Sequence, residues 1–478
     1  MTRPPPATDT VISDIAEYVQ SNGTISANAL DTAHLCLIDS LGCGFEALSN
    51  RECMRHVGPT VAGTIVPNGA RVLGTNYVLD PVTATFSIGT LIRWVDYSDS
   101  FFAETVIHPS DTLAGILATA DWLSRKRIAE GGVPLLVRDV LVAAVQAYEI
   151  MGWLALDNDF LHTGLDNTFL GKIAVAAVCT QLLGGSTTQI ENAITNAFID
   201  GHPLATFRRA PNTGARKSWA GADAASRGVW LALMAADGEM GYATALTAKE
   251  YGFYDVLFGG KSFVFSQPLE SYIIENVLFK IAFPAALHAQ TAVEAAIILH
   301  PQVRDRLDQI TRVELWTHQT CIIMIDKSGP LRNFADRDHC LQYMVAIGLI
   351  FGKLTGHDYD DEVAADPRID ALRTKMIVDE DAQYTRDYLA PDKRSNTNAI
   401  RVHFADGTQT GRVEVAYPLG HRARRTEGLP LLLEKFERNV DLAFTAGRRD
   451  RIVKTCGDRR QLETMTVNDF MGLLAGGI

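Results

Sequence analysis

The chain has 478 residues, 47% of them hydrophobic and 21% charged, with a formal net charge of −12. That length exceeds what one hydrophobic core organises, so two domains are expected, and the acidic balance argues against general affinity for nucleic acid or an anionic membrane. Seven cysteines (Cys36, Cys43, Cys53, Cys179, Cys321, Cys340 and Cys456) form an odd, scattered set with no Cys-x-x-Cys pair, which points to a reducing compartment rather than to a disulfide framework, a metal or an iron–sulfur site.

The opening Met-Thr-Arg-Pro-Pro-Pro has neither the apolar core of a secretory signal nor an Arg-rich amphipathic presequence. From Ile12 to about Gly260 the signal is helical. Leu30 to Leu48, Thr112 to Ser124, Val137 to Leu156, Lys172 to Leu183, Gln189 to Ile199 and Ala222 to Ala236 each place apolar residues three and four apart. The most apolar run, Val140 to Leu156, is interrupted by Gln146 and Glu149 and reads as too short and too polar for a membrane span. A soluble cytoplasmic protein is therefore expected, with the mitochondrion as the alternative in a eukaryotic host. Gly184-Gly185 closes one helix, and Thr188-Gln189-Ile190-Glu191 has the form of a capping box for the next. There is no Gly-rich turn between a strand and a helix, so no dinucleotide or Walker-type site is predicted.

The pattern changes after Glu275. Ile310 to Trp316 alternates apolar and polar residues as a half-buried strand does. Ile400, Val402 and Phe404 alternate up to Asp406-Gly407, and Val413, Val415 and Tyr417 alternate after it, which predicts a hairpin. Between these lies a helical segment containing His339 to Gly352. Residues 276–416 thus read as a smaller α/β domain, and 417–478 as a return to the helical domain that 1–275 begins.

Five stretches carry candidate chemistry. The first is the loop Arg93-Trp94-Val95-Asp96-Tyr97-Ser98-Asp99-Ser100, which continues to His108-Pro109-Ser110-Asp111 and runs into an apolar helix that Ser110 or Asp111 would cap. The second is Thr206 to Trp219, where Arg208, Arg209, Arg216 and Lys217 flank a Pro-Asn-Thr-Gly turn and form a local positive concavity suited to carboxylates. The third is Lys280, set in an apolar run at the domain switch, where an unpaired ammonium would be costly. The fourth is His339 and Tyr343, four apart and so on one helix face. The fifth is the basic loop Tyr417 to Arg425, read first as a solvated surface loop. Together they predict a cation-rich site with a few acid/base groups between two domains, where a di- or tricarboxylate would bind.

The acidic loop, the His-Pro-Ser and Ile116-Leu117-Ala118-Thr119-Ala120-Asp121-Trp122-Leu123-Ser124-Arg125 resemble the MmgE/PrpD family. So do "APNTGARKSW", "GEMGYATALTA", "ENVLFKIAFPA", "ADRDHCLQYMVAI" and "YPLGHRARRTEG". The resemblance covers nearly the whole chain. It implies a mainly α fold with a large all-helical domain made from both chain ends and an inserted α/β lid. It also implies a homodimer and a dehydratase acting on a small tricarboxylate without an iron–sulfur cluster, another cofactor or a metal.

Carried over position by position, the family's active-site pattern falls on Asp96, Ser100, His108, Lys217, Lys280 and Tyr343. Ser100 stands where threonine is usual, and Asn167 where many relatives have histidine. Val106-Ile107 replaces a Trp-Gly pair, and Ala286-Leu287-His288-Ala289 replaces a Glu-Phe-His-Ser-like run. Substrate contacts are expected from Arg208, Arg209, Arg216, Asn167, His288 and Arg422. On this reading the reaction is loss of water from a 2-alkylcitrate, with His108 as base, Asp96 orienting it or holding substrate, Lys217, Lys280 and Arg216 stabilising the enediolate, and Tyr343 or a lysine as acid. The site-proximal departures point to an altered substrate such as a longer 2-alkylcitrate. Decarboxylation of a cis-aconitate on the same scaffold, and a non-catalytic carboxylate-binding paralogue, are the alternatives.

Overall fold

The computed structural model describes residues 7–21, 25–209 and 211–476; the N-terminal hexapeptide and Ala210 of the basic loop lie outside the described residues. The chain begins with helices α1 (Thr10–Ser21), α2 (Ala27–Ala47), α3 (Pro81–Arg93), α4 (Leu113–Ala129), α5 (Val137–Leu156), α6 (Thr168–Leu182), α7 (Thr187–Ile199) and α8 (Ala220–Ala236). Their starts follow from local chemistry: Ser26 caps α2 through the Ala29 N–H, and Asp80 caps α3 through Val82 and Thr83, with Pro81 in the first turn.

The inserted segment holds helix α9 (Gln290–Val303), strand β1 (Ile310–Thr317), helix α10 (Leu341–Phe351) and strands β2 (Met376–Glu380), β3 (Asn398–Phe404) and β4 (Val413–Val415). Its sheet runs β2-β1-β3-β4, with β1 and β2 parallel and the other pairs antiparallel. Asn398 pairs with Val415 and Ile400 with Val413, which centres the hairpin on Asp406-Gly407, as predicted. The chain then returns through α11 (Arg425–Ala443), α12 (Ala446–Cys456) and α13 (Val467–Leu474).

Two apolar cores result. One draws on residues from Ile12 to Ile281 and again from Leu432 to Leu474. The other runs from Ala285 to Phe404 and lies between α9, α10 and the sheet. The fold is mainly α, a helical domain built from both chain ends with an α/β domain inserted into it.

Several local expectations are corrected. Helix α3, largely buried with Thr85, Ser87 and Thr90 included, is not in the predicted set. Strand β2 was absent too, being a short, half-exposed edge strand ending in Asp379 and Glu380. The capping box of α7 is Ser186 with Gln189 rather than the run from Thr188. Neither Ser110 nor Asp111 caps α4, which follows the 3₁₀ turn Pro109–Thr112; Asp111 faces Arg93 instead, 3.5 Å away. Helix α5, at 20 residues, does have the length of a membrane span, but it is the core helix of the fold. Two of its polar side chains find partners inside: Gln146 donates to the Val19 carbonyl at 3.0 Å, and Glu149 accepts the Ile273 N–H at 2.8 Å.

The crossing between the domains is narrow. Ser100 and Leu278 exchange backbone hydrogen bonds of 2.9 and 2.8 Å, and the Phe279 N–H donates to Gly420 O at 3.3 Å. Segment 278–280 is thus held between the acidic loop and the return of the chain. A Cβ at position 420 would lie 1.9 Å from the Phe279 carbonyl oxygen. Gly420→Ala should therefore push Phe279 and the adjoining Lys280 out of place, costing about 1–3 kcal/mol of stability in denaturant titration along with activity; wild-type values for both would show that the backbone approach is not required.

Candidate active site

The acidic loop leaves the C-terminal end of α3 with Asp96 in the left-handed region, φ 49°, unusual for a residue with a side chain. That turn buries the carboxylate between two cations. Arg93 Nη1 donates to Asp96 Oδ1, and Lys280 Nζ donates both to Oδ1 at 2.7 Å and to the Asp96 carbonyl at 2.8 Å. Burial opposes the charge on Asp96, yet Arg93 and Lys280 hold its carboxyl well below the usual range. Lys280 shares its counter-ion with Arg93, and burial lowers its ammonium to about 8 despite Asp96.

Beyond Asp96 the loop doubles back as a small hairpin, with Phe101 and Ile107 paired, and delivers His108 beside Ser100. His108 Nδ1 lies 2.9 Å from Ser100 Oγ and 3.1 Å from the Asp99 carbonyl. A carbonyl can only accept, which assigns the ring hydrogen to Nδ1 and leaves Nε2 with its lone pair. No described residue bonds to Nε2. Burial, and then Arg93 and Lys280, push His108 well below 6.5, so the ring is neutral. The Asp99 carboxylate fixes the His-Pro-Ser turn, accepting from the Ser110 N–H at 3.1 Å and from the Tyr148 hydroxyl at 2.7 Å. Burial raises Asp99 to about 6.

The basic loop contributes Lys217 from a 3₁₀ turn, Ala215–Ser218. Its ammonium crosses to the inserted domain and donates to Asp338 Oδ2 at 2.6 Å, while His339 Nδ1 lies 2.8 Å from Asp338 Oδ1. Burial and then Lys217 lower His339 to about 4. Arg208 is locked onto Asp166 through Nε and, at 3.2 Å, Nη2.

Beside this cluster lies a cavity of about 60 Å³ lined by Val106, Leu165, Asn167, Arg209, His288 and Met324, among others. Asn167 donates to the Val106 carbonyl at 2.5 Å, leaving its Oδ1 without a partner. Arg209 Nη1 and His288 Nδ1 are also buried and have no partner among the described residues. His288 is pushed well below 6.5 by burial, with further contributions from His318, His339 and Lys280, which sets it on the cation cluster's flank.

The structure therefore brings together Asp96, Ser100, His108, Lys217 and Lys280, with Arg208, Arg209, Asn167 and His288 close by. Three expected residues lie elsewhere. Tyr343 turns its hydroxyl to the Asp358 carbonyl at 2.6 Å, and His339 precedes α10 rather than sharing its face. Arg216 is part-exposed, pairs with Asp223 at 2.9 Å and lines a separate cleft with Lys172 and Asp200. Arg422 staples the crossing, donating to Asn276 Oδ1 and to the carbonyls of Pro391 and Asp392. Ile107 is in the core, so Val106 alone of that pair lines the cavity. Sequence reasoning gave no role to Arg93, Asp166 and Asp338, although Arg93 stands three residues before Asp96 at a helix end.

The chain is thus a two-domain, mainly α protein with paired cations and a histidine at the crossing. The chain belongs to the MmgE/PrpD family: the N-terminal domain model matches residues 13–266 and the C-terminal domain model residues 283–459. A protein of Salmonella typhimurium named 2-methylcitrate dehydratase is 52% identical over 471 residues, 98% of each chain. A Yarrowia lipolytica protein named 2-methylcitrate dehydratase, mitochondrial, is 50% identical over 98% of this chain and 90% of its own. An Aspergillus oryzae protein named 2-methylcitrate dehydratase-like protein oryR is 40% identical over 98% and 96%.

Lys280 is cationic below about pH 8 and loses its charge above it. If it holds an anionic substrate, kcat/KM should fall on the alkaline side through an apparent pKa of about 8. A profile flat to pH 10, or a Lys280→Met variant with normal turnover, would remove Lys280 from that role.

Proposed function

We propose that this protein is a hydro-lyase that removes water from 2-methylcitrate to give 2-methyl-cis-aconitate, acting as a homodimer with domains at 1–275 plus 417–478 and 276–416. The observation that carries the reading is His108, whose ring hydrogen is tied at Nδ1 and whose free Nε2 sits among buried cations. The names of relatives about 50% identical over nearly the full length agree with it.

Loss of water requires a base to take a proton from carbon next to a carboxylate, a carbon–carbon double bond to form, and the hydroxyl to leave with a proton. His108 Nε2 takes the carbon proton. The electron pair is stabilised as the enediolate of the neighbouring carboxylate, which Lys217 and Lys280 face from two sides. Arg209, with an unpartnered Nη1, binds a further carboxylate. Lys217 or Lys280 delivers the proton to the leaving hydroxyl, since Tyr343 is committed to Asp358 and His288 is neutral.

The branch of the substrate points into the cavity between Val106, Leu165 and Met324. Its volume of about 60 Å³ has room for a few water-sized groups, which favours a methyl branch over an octenyl chain.

Chelator-treated protein should form conjugated product, followed in the ultraviolet, faster from 2-methylcitrate than from a hexyl- or octenyl-type 2-alkylcitrate and without carbon dioxide. A preference for the long substrate would overturn the branch assignment, release of carbon dioxide would make the chain a decarboxylase, and binding without turnover would make it a carboxylate receptor. His108→Ala should lower kcat about a hundredfold or more, and near-normal turnover would take the base role from it.

A further inference from the structure

Next to the cluster lies an ion pair that the reaction above does not use. Lys435 of α11 and Asp39 of α2 are both buried, and Lys435 Nζ donates to Asp39 Oδ1 at 2.7 Å. The same ammonium donates to the Tyr97 carbonyl at 2.7 Å and to the Lys280 carbonyl at 2.9 Å. Its three hydrogens are thereby all used. It also lies 3.6 Å from the centre of the Tyr97 ring, and the Tyr97 hydroxyl donates to the Ile281 carbonyl at 2.5 Å.

A buried pair of this kind is weak evidence for stability, because desolvation of both ions offsets their attraction and apolar replacements are often neutral or stabilising. Asp39 Oδ2 has no partner, so the pair is not even fully compensated. What it does have is position. Tyr97 directly follows Asp96, which stands at φ 49°, and Lys280 supplies the other half of the Asp96 contact. One ammonium thus ties together the two backbones that bring Asp96 and Lys280 to 2.7 Å, from a helix more than 150 residues further along the chain than Lys280.

We propose that Lys435 and Asp39 are positioning residues for the site, the device by which the C-terminal return of the chain sets Asp96 and Lys280 in register. Its kinetic consequence rests on the dehydratase reading; its geometric consequence does not.

The test is the double variant Lys435→Met with Asp39→Leu, which fills the same volume with apolar side chains, alongside the isosteric single variant Asp39→Asn should the double variant not fold. Both are examined by calorimetry, by steady-state kinetics with 2-methylcitrate and by crystallography. The expected result for the double variant is a melting temperature near that of the wild type, with a lowered one for Asp39→Asn, which leaves the buried ammonium without its counter-ion; for both, kcat per folded molecule falls about tenfold to a hundredfold with KM within about threefold, and Lys280 is displaced from Asp96. A role in stability alone would lower the melting temperature and leave kcat per folded molecule unchanged. Wild-type kcat in a folded variant, or a retained 2.7 Å contact between Lys280 and Asp96, overturns the proposal. If the wild type itself turns over no 2-methylcitrate, the functional reading fails and the crystal structures alone decide this one.

Discussion

The structure depends on one carboxylate shared by two cations. Asp96 is buried and takes charge from both Arg93 and Lys280, and an ion pair of that kind survives in a dry interior only when its remaining hydrogen-bonding capacity is met. Three segments of chain are needed to meet it: the end of α3 supplies Arg93, the loop supplies the carboxylate and its own carbonyl, and the crossing into the inserted domain supplies Lys280. Removing Asp96 leaves both cations in the interior without the carboxylate they share, which costs far more than the intact arrangement gains. This is why the two domains meet at this point and why the crossing is packed down to a glycine at 420.

The large features were legible because they rest on periodicity and on punctuation. Helix α5 occupies the predicted residues, and the predicted hairpin is found with Asp406-Gly407 at its centre. Helix α3 was not legible, although Asp80-Pro81 marks its start. In the site, residues next to one another in sequence, such as Asp96, Ser100 and His108, were found together. Pairs formed across the fold, Lys217 with Asp338 and Arg208 with Asp166, could be named only from one side, since nothing local marks the acid that each cation reaches. Tyr343 and Arg422 show the converse: a hydroxyl or guanidinium in a specific-looking motif can be spent on a backbone carbonyl.

The charges of the site also bear on how it would work. Lys217 is matched to Asp338 and Arg208 to Asp166, whereas Arg93 and Lys280 share Asp96, so the unliganded cluster remains cationic around His108. Those cations, with burial, keep the imidazole free of its proton. A base held so far below its ordinary pKa is weak, and a carbon acid beside a carboxylate is a reluctant donor. A tricarboxylate alters that balance on arrival. Its negative charges screen His108 from Arg93 and Lys280, and the proton affinity of Nε2 rises where the substrate proton must go. On the proposed reading the same cations that bind the substrate keep the base unprotonated until it is bound, and the binding energy of the remote carboxylates strengthens the base at the reacting carbon.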